Sequence, residues 1–437
     1  MHLHNYSKIL EVAECVCSLL KTYPPASNDS RCGICSLTIK EGDNMYQKLI
    51  DFVRAVGLWG GERSATHAFL LSPKPHVLTK DQGVQLNVIS RALQGVVRGL
   101  AEIFTIATES CSELGRKMQA QIPSYFAGVM HLNPNAIPFL NKIDLVEDMD
   151  GKFWIVEMDS GNPRALGYST LFQAMTKEVL NTPNSFSGVL DPTIDVMNEK
   201  TGRLVCVLSG KERWYLPWFE ILVNGLRERG LNAELVPEGK FVVNGKSLVL
   251  HMPLAMDKPA VRQGLLEGYK SGGVDFLMPP KPFLGSKAML AIICNMEQDP
   301  ELEVILRSKI SEGDLETLRS HIPPTVFNTE TTGLDGETVL KSLVSSGMKG
   351  VIFSSDPAYA RTLQYTRDGT VIQKLVEGKQ HNFDHFEPNG ELVSDERYVR
   401  LIAHCGPEGV ADVFATARTT KAVHGAKDSV LTSCIIE

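Results

Sequence analysis

The sequence predicts an α/β protein whose helices and strands come in blocks. Three observations carry this. The first 125 or so residues place apolar side chains at helical spacing; two alternating runs near residue 150 flank an Asp-Gly turn; residues 201–280 repeat the order strand, helix, strand.

In chain order, Ile9, Leu10, Val12, Ala13, Val16, Leu19 and Leu20 predict an amphipathic helix over 7–23 that stops at Pro24-Pro25. Residues 45–60 and 80–120 read as helices in the same way, so 1–125 is expected to be mainly helical. After Pro123, Ala136–Glu147 and Lys152–Met158 read as strands joined by Asp148-Met149-Asp150-Gly151, and a helix is expected over 168–180, giving a second part at 126–200. Leu204–Ser209, the helical stretch Trp214–Arg229 and Ala233–Pro237 form a βαβ pattern with a small parallel sheet. Phe241-Val242-Val243 and Ser247–His251 flank Asn244-Gly245, a hairpin signal; a helix at Lys258–Ser271 and a strand at Val274–Met278 complete a unit at 201–280. The last part, 281–437, is expected to hold helices at 284–296, 313–320 and 337–346 and strands at 349–354, 370–376 and 397–404. Residues 378–396 read as a loop or a solvated hairpin.

A chain of 437 residues, 43% hydrophobic, can bury a large core without disulfides or a structural metal. A formal net charge of -7 lacks the basic footprint of a nucleic-acid binder, although a few local Lys and Arg residues can still hold a phosphate chain. No apolar run is long enough to span a bilayer, and Met1–Tyr6 lacks the pattern of a signal peptide. Nine scattered cysteines suit free thiols in a reducing compartment, so a cytoplasmic location is expected, with neither nucleic acid nor membrane as partner.

The most informative stretch is Lys142-Ile143-Asp144 followed by Glu157-Met158-Asp159-Ser160-Gly161-Asn162-Pro163-Arg164. Side chains alternate along a strand, so Lys142 and Asp144 share a face, as do Glu157 and Asp159. Folded as a hairpin, the two strands gather three carboxylates, which repel unless cations join them. Lys142 supplies one charge, and Mg²⁺, a hard ion that bridges nucleotide phosphates, is the natural other. The plain alternative is a hairpin whose polar face lies in water.

This order of Lys-x-Asp, turn, Glu-x-Asp and Gly-Asn-Pro resembles the circularly permuted ATP-grasp enzymes, the glutathionylspermidine synthase-like carboxylate-amine ligases. In them an Arg-x-Asp strand pairs with a Glu-x-Asn strand. The resemblance puts magnesium on Asp144, Glu157 and Asp159, with Lys142 in the arginine's place. Lys for Arg loses a bidentate fork, and Asp for Asn adds a charge. Leu284-Gly285-Ser286-Lys287-Ala288-Met289-Leu290 resembles the helix start that follows the family's small Rossmann-like pre-ATP-grasp domain. Val339-Leu340-Lys341 and Ser345–Val351 resemble its strand and glycine-rich phosphate loop, which would make 337–346 a strand and loop instead of a helix. The resemblance therefore implies ATP held by Lys287, Lys341, Ser346 and Gly347, with adenine at the hinge by Gln373 and Val376. It also implies that Arg164, Arg400 and Arg418 steady an acyl phosphate. The implied reaction joins a small carboxylic acid to an amine, of the amino acid, peptide or polyamine class, with release of ADP and phosphate. A phosphotransferase acting on a small molecule, or a non-catalytic nucleotide-binding protein, would keep the same fold. Related folds often dimerise, and a homodimer is one outcome.

Other motifs carry less. Asn141-Lys142-Ile143-Asp144 matches the guanine-reading motif of GTPases, but the upstream phosphate loop is absent. Cys32-Gly33-Ile34-Cys35 has zinc-knuckle spacing, yet Cys15 and Cys17 lie two apart on an expected helix and do not face one way. His381 and His385 fall in the expected loop, and neither a Gly-x-Ser-x-Gly elbow nor a Gly-x-Gly-x-x-Gly loop occurs.

Overall fold

The computed structural model of the chain describes residues 45–55, 69–110, 112–161, 165–200, 202–210, 215–243, 246–251, 258–329, 334–345, 350–425 and 428–437. The helix expected over 7–23, the Cys32–Cys35 pair, Arg164, Ser346 and Gly347 lie outside the described residues.

The strands fall into four groups along the chain. β1 (Leu70–Leu71), β2 (His76–Leu78), β3 (Asn141–Glu147) and β4 (Phe153–Ser160) come first. Next are β5 (Arg203–Leu208), β6 (Asn232–Pro237), β7 (Ser247–His251) and β8 (Val274–Phe276). Then follow β9 (Thr325–Phe327), β10 (Thr338–Ser342), β11 (Val351–Phe353) and β12 (Thr370–Lys374). Last are β13 (Gln380–Phe386), β14 (Leu392–Gly406), β15 (Gly409–Arg418) and β16 (Val430–Ile436). The first and last groups share one sheet in the order β13-β1-β16-β15-β14-β3-β4, with β2 beside β16. The second group is a parallel sheet, β6-β5-β7-β8, and the third an antiparallel sheet, β11-β10-β12-β9.

The large sheet packs one face on the helix Lys80–Glu109. Thr79 starts this helix with a capping box: its side chain accepts from the Gln82 N–H, and the Gln82 side chain accepts from the Thr79 N–H. Leu86, Ile89, Leu93, Val96, Val97, Leu100 and Phe104 recur at three- and four-residue steps and are buried against Ile143, Leu145, Leu401, Ala403, Val413 and Ala415. Gly99 permits close approach here, since a Cβ would meet the Lys309 carbonyl oxygen at 2.8 Å. The other face carries Ile402, Phe414 and Leu431 under the helix Leu166–Glu178, whose Phe172 and Met175 fill that layer.

Several expectations change. The 69–78 stretch is not helical; it adds β1 and β2, both parallel to β16, to the large sheet. The 80–120 helix is two, because Ser112 caps a new helix at Glu113–Gln119. Residues 247–251 are not a hairpin arm but the interior parallel strand β7, buried at every position between β5 and β8. The helix expected over 337–346 is the strand β10, in which Val339 and Leu340 are buried on opposite faces of the sheet. Of the two readings of 378–396 the structure has the hairpin, β13 with β14, in register from Gln380↔Tyr398 to Phe386↔Leu392.

Phe104 stacks on Phe283 with centroids 3.8 Å apart, tying the long helix to the segment that leads into Lys287. Phe104→Ala is expected to lower unfolding free energy by about 3–5 kcal/mol, read from urea midpoints.

Candidate functional site: a charged cleft between two sheets

The antiparallel sheet β9–β12 faces the β3, β4 and β14 end of the large sheet across a cleft enclosing about 840 Å³, its open mouth included. Asp144, Glu157, Lys287, Lys341, Gln373, Val376 and Arg400, predicted from widely separated stretches, all line it.

The hairpin supplies the floor. Lys142 pairs with Asp159 and Asp144 with Glu157, so the four side chains rise from one face. The register then slips: Leu145 pairs with Ile155, which leaves Val156 as a bulge residue. The Val156 carbonyl accepts from Lys341 Nζ at 2.8 Å, so the bulge links the two sheets.

The floor is a lattice of alternating charge. Lys142 Nζ stands 2.9 Å from Asp144 Oδ1, outside hydrogen-bond alignment, and donates to Asp159 Oδ2 at 3.5 Å. Arg400 Nη1 donates to Asp144 Oδ2 at 3.0 Å, and Lys287 Nζ lies 3.2 Å from Glu157 Oε1. Burial pushes the Asp144 carboxyl up, but Lys142 and Arg400 outweigh it and hold its pKa below the ordinary value. Glu157 is likewise pushed up by burial and brought below its usual range by Lys287. Asp159 goes the other way: burial, aided by the neighbouring Glu157, raises it despite Lys142. Burial lowers the Lys142 ammonium, yet Asp144, Asp159 and Glu157 together raise it above a free lysine.

Lys341 is buried from the second sheet. Burial pulls its pKa down to about 8, against the pull of Glu157. The Gln373 side chain holds it: Oε1 accepts from Lys341 Nζ at 2.6 Å, and Nε2 donates to Thr325 Oγ1 at 3.0 Å. Gln373 thus positions the lysine, while Val339, Val351, Phe353, Leu375 and Val376 give the cleft an apolar end. The chain crosses between the sheets at 375–379, pinned by Leu375 N–H to the Glu337 carbonyl and Lys379 N–H to the Glu147 carbonyl, each 2.8 Å.

Arg418 does not line the cleft. It donates to Asp428 Oδ2 at 3.1 and 2.7 Å and to the Ala422 carbonyl at 2.8 Å, which shapes the loop carrying Lys421, Ala422 and Val423 over the cleft mouth. Its expected contact with a ligand becomes a loop-positioning one. The sequence reading also missed Lys421 and the Val156 carbonyl. A bulge and a lid contact leave no periodic trace.

Among the described residues no three or more His, Cys, Asp or Glu side chains form a ready metal cage. The donor chemistry still fits magnesium, which takes one or two carboxylates and draws its remaining oxygens from phosphate and water. The Arg400 Nε–H is buried without an acceptor, so capacity for an anion remains.

A glutathione synthetase-like effector from Globodera pallida, solved in its apo form, matches with TM-score 0.51 and 13% identity, over 91% of this chain and 98% of that one. This shows a shared fold. A Methylobacillus flagellatus protein assigned to the gamma-glutamylcysteine synthetases matches with TM-score 0.33 and 11% identity, over 79% of this chain and 85% of that one, and is too distant for structural inference. No family model matches the sequence, and neither does any curated protein.

The charged row continues inward. His404 pairs with Lys142 on one side and Asp412 on the other, so Asp412, His404, Lys142 and Asp159 cross four adjacent strands at one level. Burial lowers His404 to about 3, leaving it neutral, and raises Asp412 to about 7 although Gln173 Nε2 donates to its Oδ1 at 2.8 Å. A carboxyl raised on folding stabilises while both states are protonated, and that contribution is lost as pH rises from about 3.8 to about 7. Stability is expected to fall over this window by up to about 1.4 kcal/mol per pH unit, and Asp412→Asn to flatten the slope, read from urea midpoints at several pH values.

Proposed function

We propose that the protein is an ATP-dependent carboxylate-amine ligase of the circularly permuted ATP-grasp kind. The observation that carries this reading is the single cleft in which Lys287 and Lys341, the Asp144–Glu157 pair and Arg400 meet between two sheets. Its support also includes the fold shared with a glutathione synthetase-like protein. Chain order supports the permutation: β3 and β4 precede β5–β8 and β9–β12, yet lie in one sheet with β13–β16.

In this reading the apolar end by Val339, Phe353 and Val376 takes adenine, and the backbone after Gln373 reads its edge. Lys287 and Lys341, with Ser346 and Gly347 assigned from sequence, hold the phosphates. Asp144, Glu157 and Asp159 would hold magnesium, which would supply positive charge against the phosphates. The substrate carboxylate oxygen attacks the γ-phosphorus in line and ADP leaves. The amine nitrogen then attacks the carbonyl carbon of the acyl phosphate, the C–O bond to phosphate breaks, and the amine gives up its extra proton as the amide forms. Arg400 donates to the oxygens that gain charge, and Arg164 is assigned the same role from sequence. Substrates are a small acid and an amine of the amino acid, peptide or polyamine class.

The test is ADP release with pools of acids and amines. Release that needs both supports the ligase; release with a hydroxyl acceptor and no amine makes the protein a phosphotransferase. Glu157→Gln is expected to cut turnover at least 100-fold. Lys341, with a pKa of about 8, binds phosphate in its charged form, so affinity for a nonhydrolysable ATP analogue is expected to fall as pH rises through about 8. Lys341→Met should bind weakly with that pH dependence gone, measured by calorimetry.

A further inference from the structure

We propose that Thr325 is a positioning residue for the nucleotide: through Gln373 it fixes the direction in which the Lys341 ammonium offers its remaining N–H to a phosphate oxygen. This deepens the ligase reading and rests on it for the nucleotide.

Lys341, Gln373 and Thr325 come from three strands of one sheet and share one of its faces. Gln373 pairs with Thr325 on one side and with Val339 on the other, and Lys341 lies two residues beyond Val339. Three hydrogen bonds run through them in a line. Lys341 Nζ donates to Gln373 Oε1 at 2.6 Å, Gln373 Nε2 to Thr325 Oγ1 at 3.0 Å, and Thr325 Oγ1 to the Pro323 carbonyl at 2.7 Å.

The direction of this line follows from what each group can donate. A hydroxyl has one proton. That of Thr325 is committed to Pro323, so its oxygen accepts from Gln373. The amide nitrogen of Gln373 is thereby turned to Thr325 and the amide oxygen to Lys341. The far end is rigid, because Pro323 is a proline before a proline and both of its backbone angles are restricted. Thr325 and Gln373 are 1% and 2% exposed, so water offers neither side chain a substitute partner.

An ammonium has three N–H groups. Lys341 gives one to Gln373 and another to the Val156 carbonyl at 2.8 Å, on the opposite sheet. Two fixed acceptors set two directions of a tetrahedral group, and the third is then set as well, on a lysine that lines the cleft. Loss of either acceptor frees the group to turn, and a phosphate then has to order it on binding, which costs affinity. Thr325 does not line the cleft, so it reaches a ligand there only through Gln373.

The experiment is calorimetry of the full-length protein with a β,γ-imido ATP analogue and, by displacement, with adenosine, which lacks phosphate. Thr325→Val keeps the branched shape and removes the hydroxyl; it is expected to weaken the analogue about 10-fold and adenosine less than about 2-fold. Thr325→Ser keeps the hydroxyl and is expected to stay within about 2-fold of wild type. Gln373→Leu should match Thr325→Val, and the double variant should lose about 10-fold, not about 100-fold, because the two residues act as one unit. Wild-type affinity in Thr325→Val overturns the proposal. So does a double variant whose losses multiply, or a loss shared equally by adenosine. Urea transitions show which variants fold, and Thr325→Ala carries the test if Thr325→Val does not. An analogue that fails to bind wild type overturns the ligase reading, whereas one that binds wild type and Thr325→Val alike overturns the positioning role alone.

Discussion

Asp144, Glu157, Lys287, Lys341 and Arg400 line one cleft with Lys142 and Asp159 beside them in the same charge lattice, and their mutual compensation constrains the rest of the molecule. Asp144 is nearly fully buried, as are Lys287 and Lys341. Removing such groups from water is costly, and stripping one partner from a buried pair commonly costs about 3–5 kcal/mol because the other charge stays behind. The cations come from β3, from the turn before the helix Ala288–Cys294, from β10 and from β14. Lys142 meets Asp144 and Asp159 within the hairpin and Arg400 joins from the same sheet, whereas Glu157 gains Lys287 only when the segment before that helix docks. A set of charges so arranged also has unused polar capacity, which suits a ligand that brings a polyanion.

The same arrangement links packing to motion. β9–β12 is joined to the large sheet by the 375–379 crossover, by the Lys341 contact to the Val156 carbonyl, and at the cleft mouth by the Lys421–Glu337 ion pair. That last pair is largely exposed on both sides and adds little. The mouth is the part of the cleft held least, while its floor is held by buried contacts. A ligand can enter where the structure opens at low cost and meet charges that are already in position.

The legible parts of the site were those that follow a local period. Lys142 and Asp144, Glu157 and Asp159 lie two apart, so the pleat alone puts each pair on one face, and the Asp-Gly turn brings the pairs opposite. The βαβ spacing at 201–280 was local too. Arg400 reaches the cleft because it lies on a strand that pairs with β3. Arg418 lies outside it, because its side chain is drawn to Asp428 and to the path of a loop. The 337–346 stretch carries apolar residues consistent with a helix or a buried strand, and pairing with β11 and β12 settles the choice.

From the amino-acid order alone come the α/β class, the hairpin and the faces of its acids, since these depend on side-chain alternation and turn chemistry over a few residues. Folding in three dimensions settles the rest: which cation meets which carboxylate, that β7 runs parallel inside its sheet, and that Val156 bulges out to receive Lys341. Arg400 with Asp144, Lys287 with Glu157 and Lys341 with the Val156 carbonyl join residues far apart in the chain. They are chosen by the energy of burying charge in pairs, which no local period records.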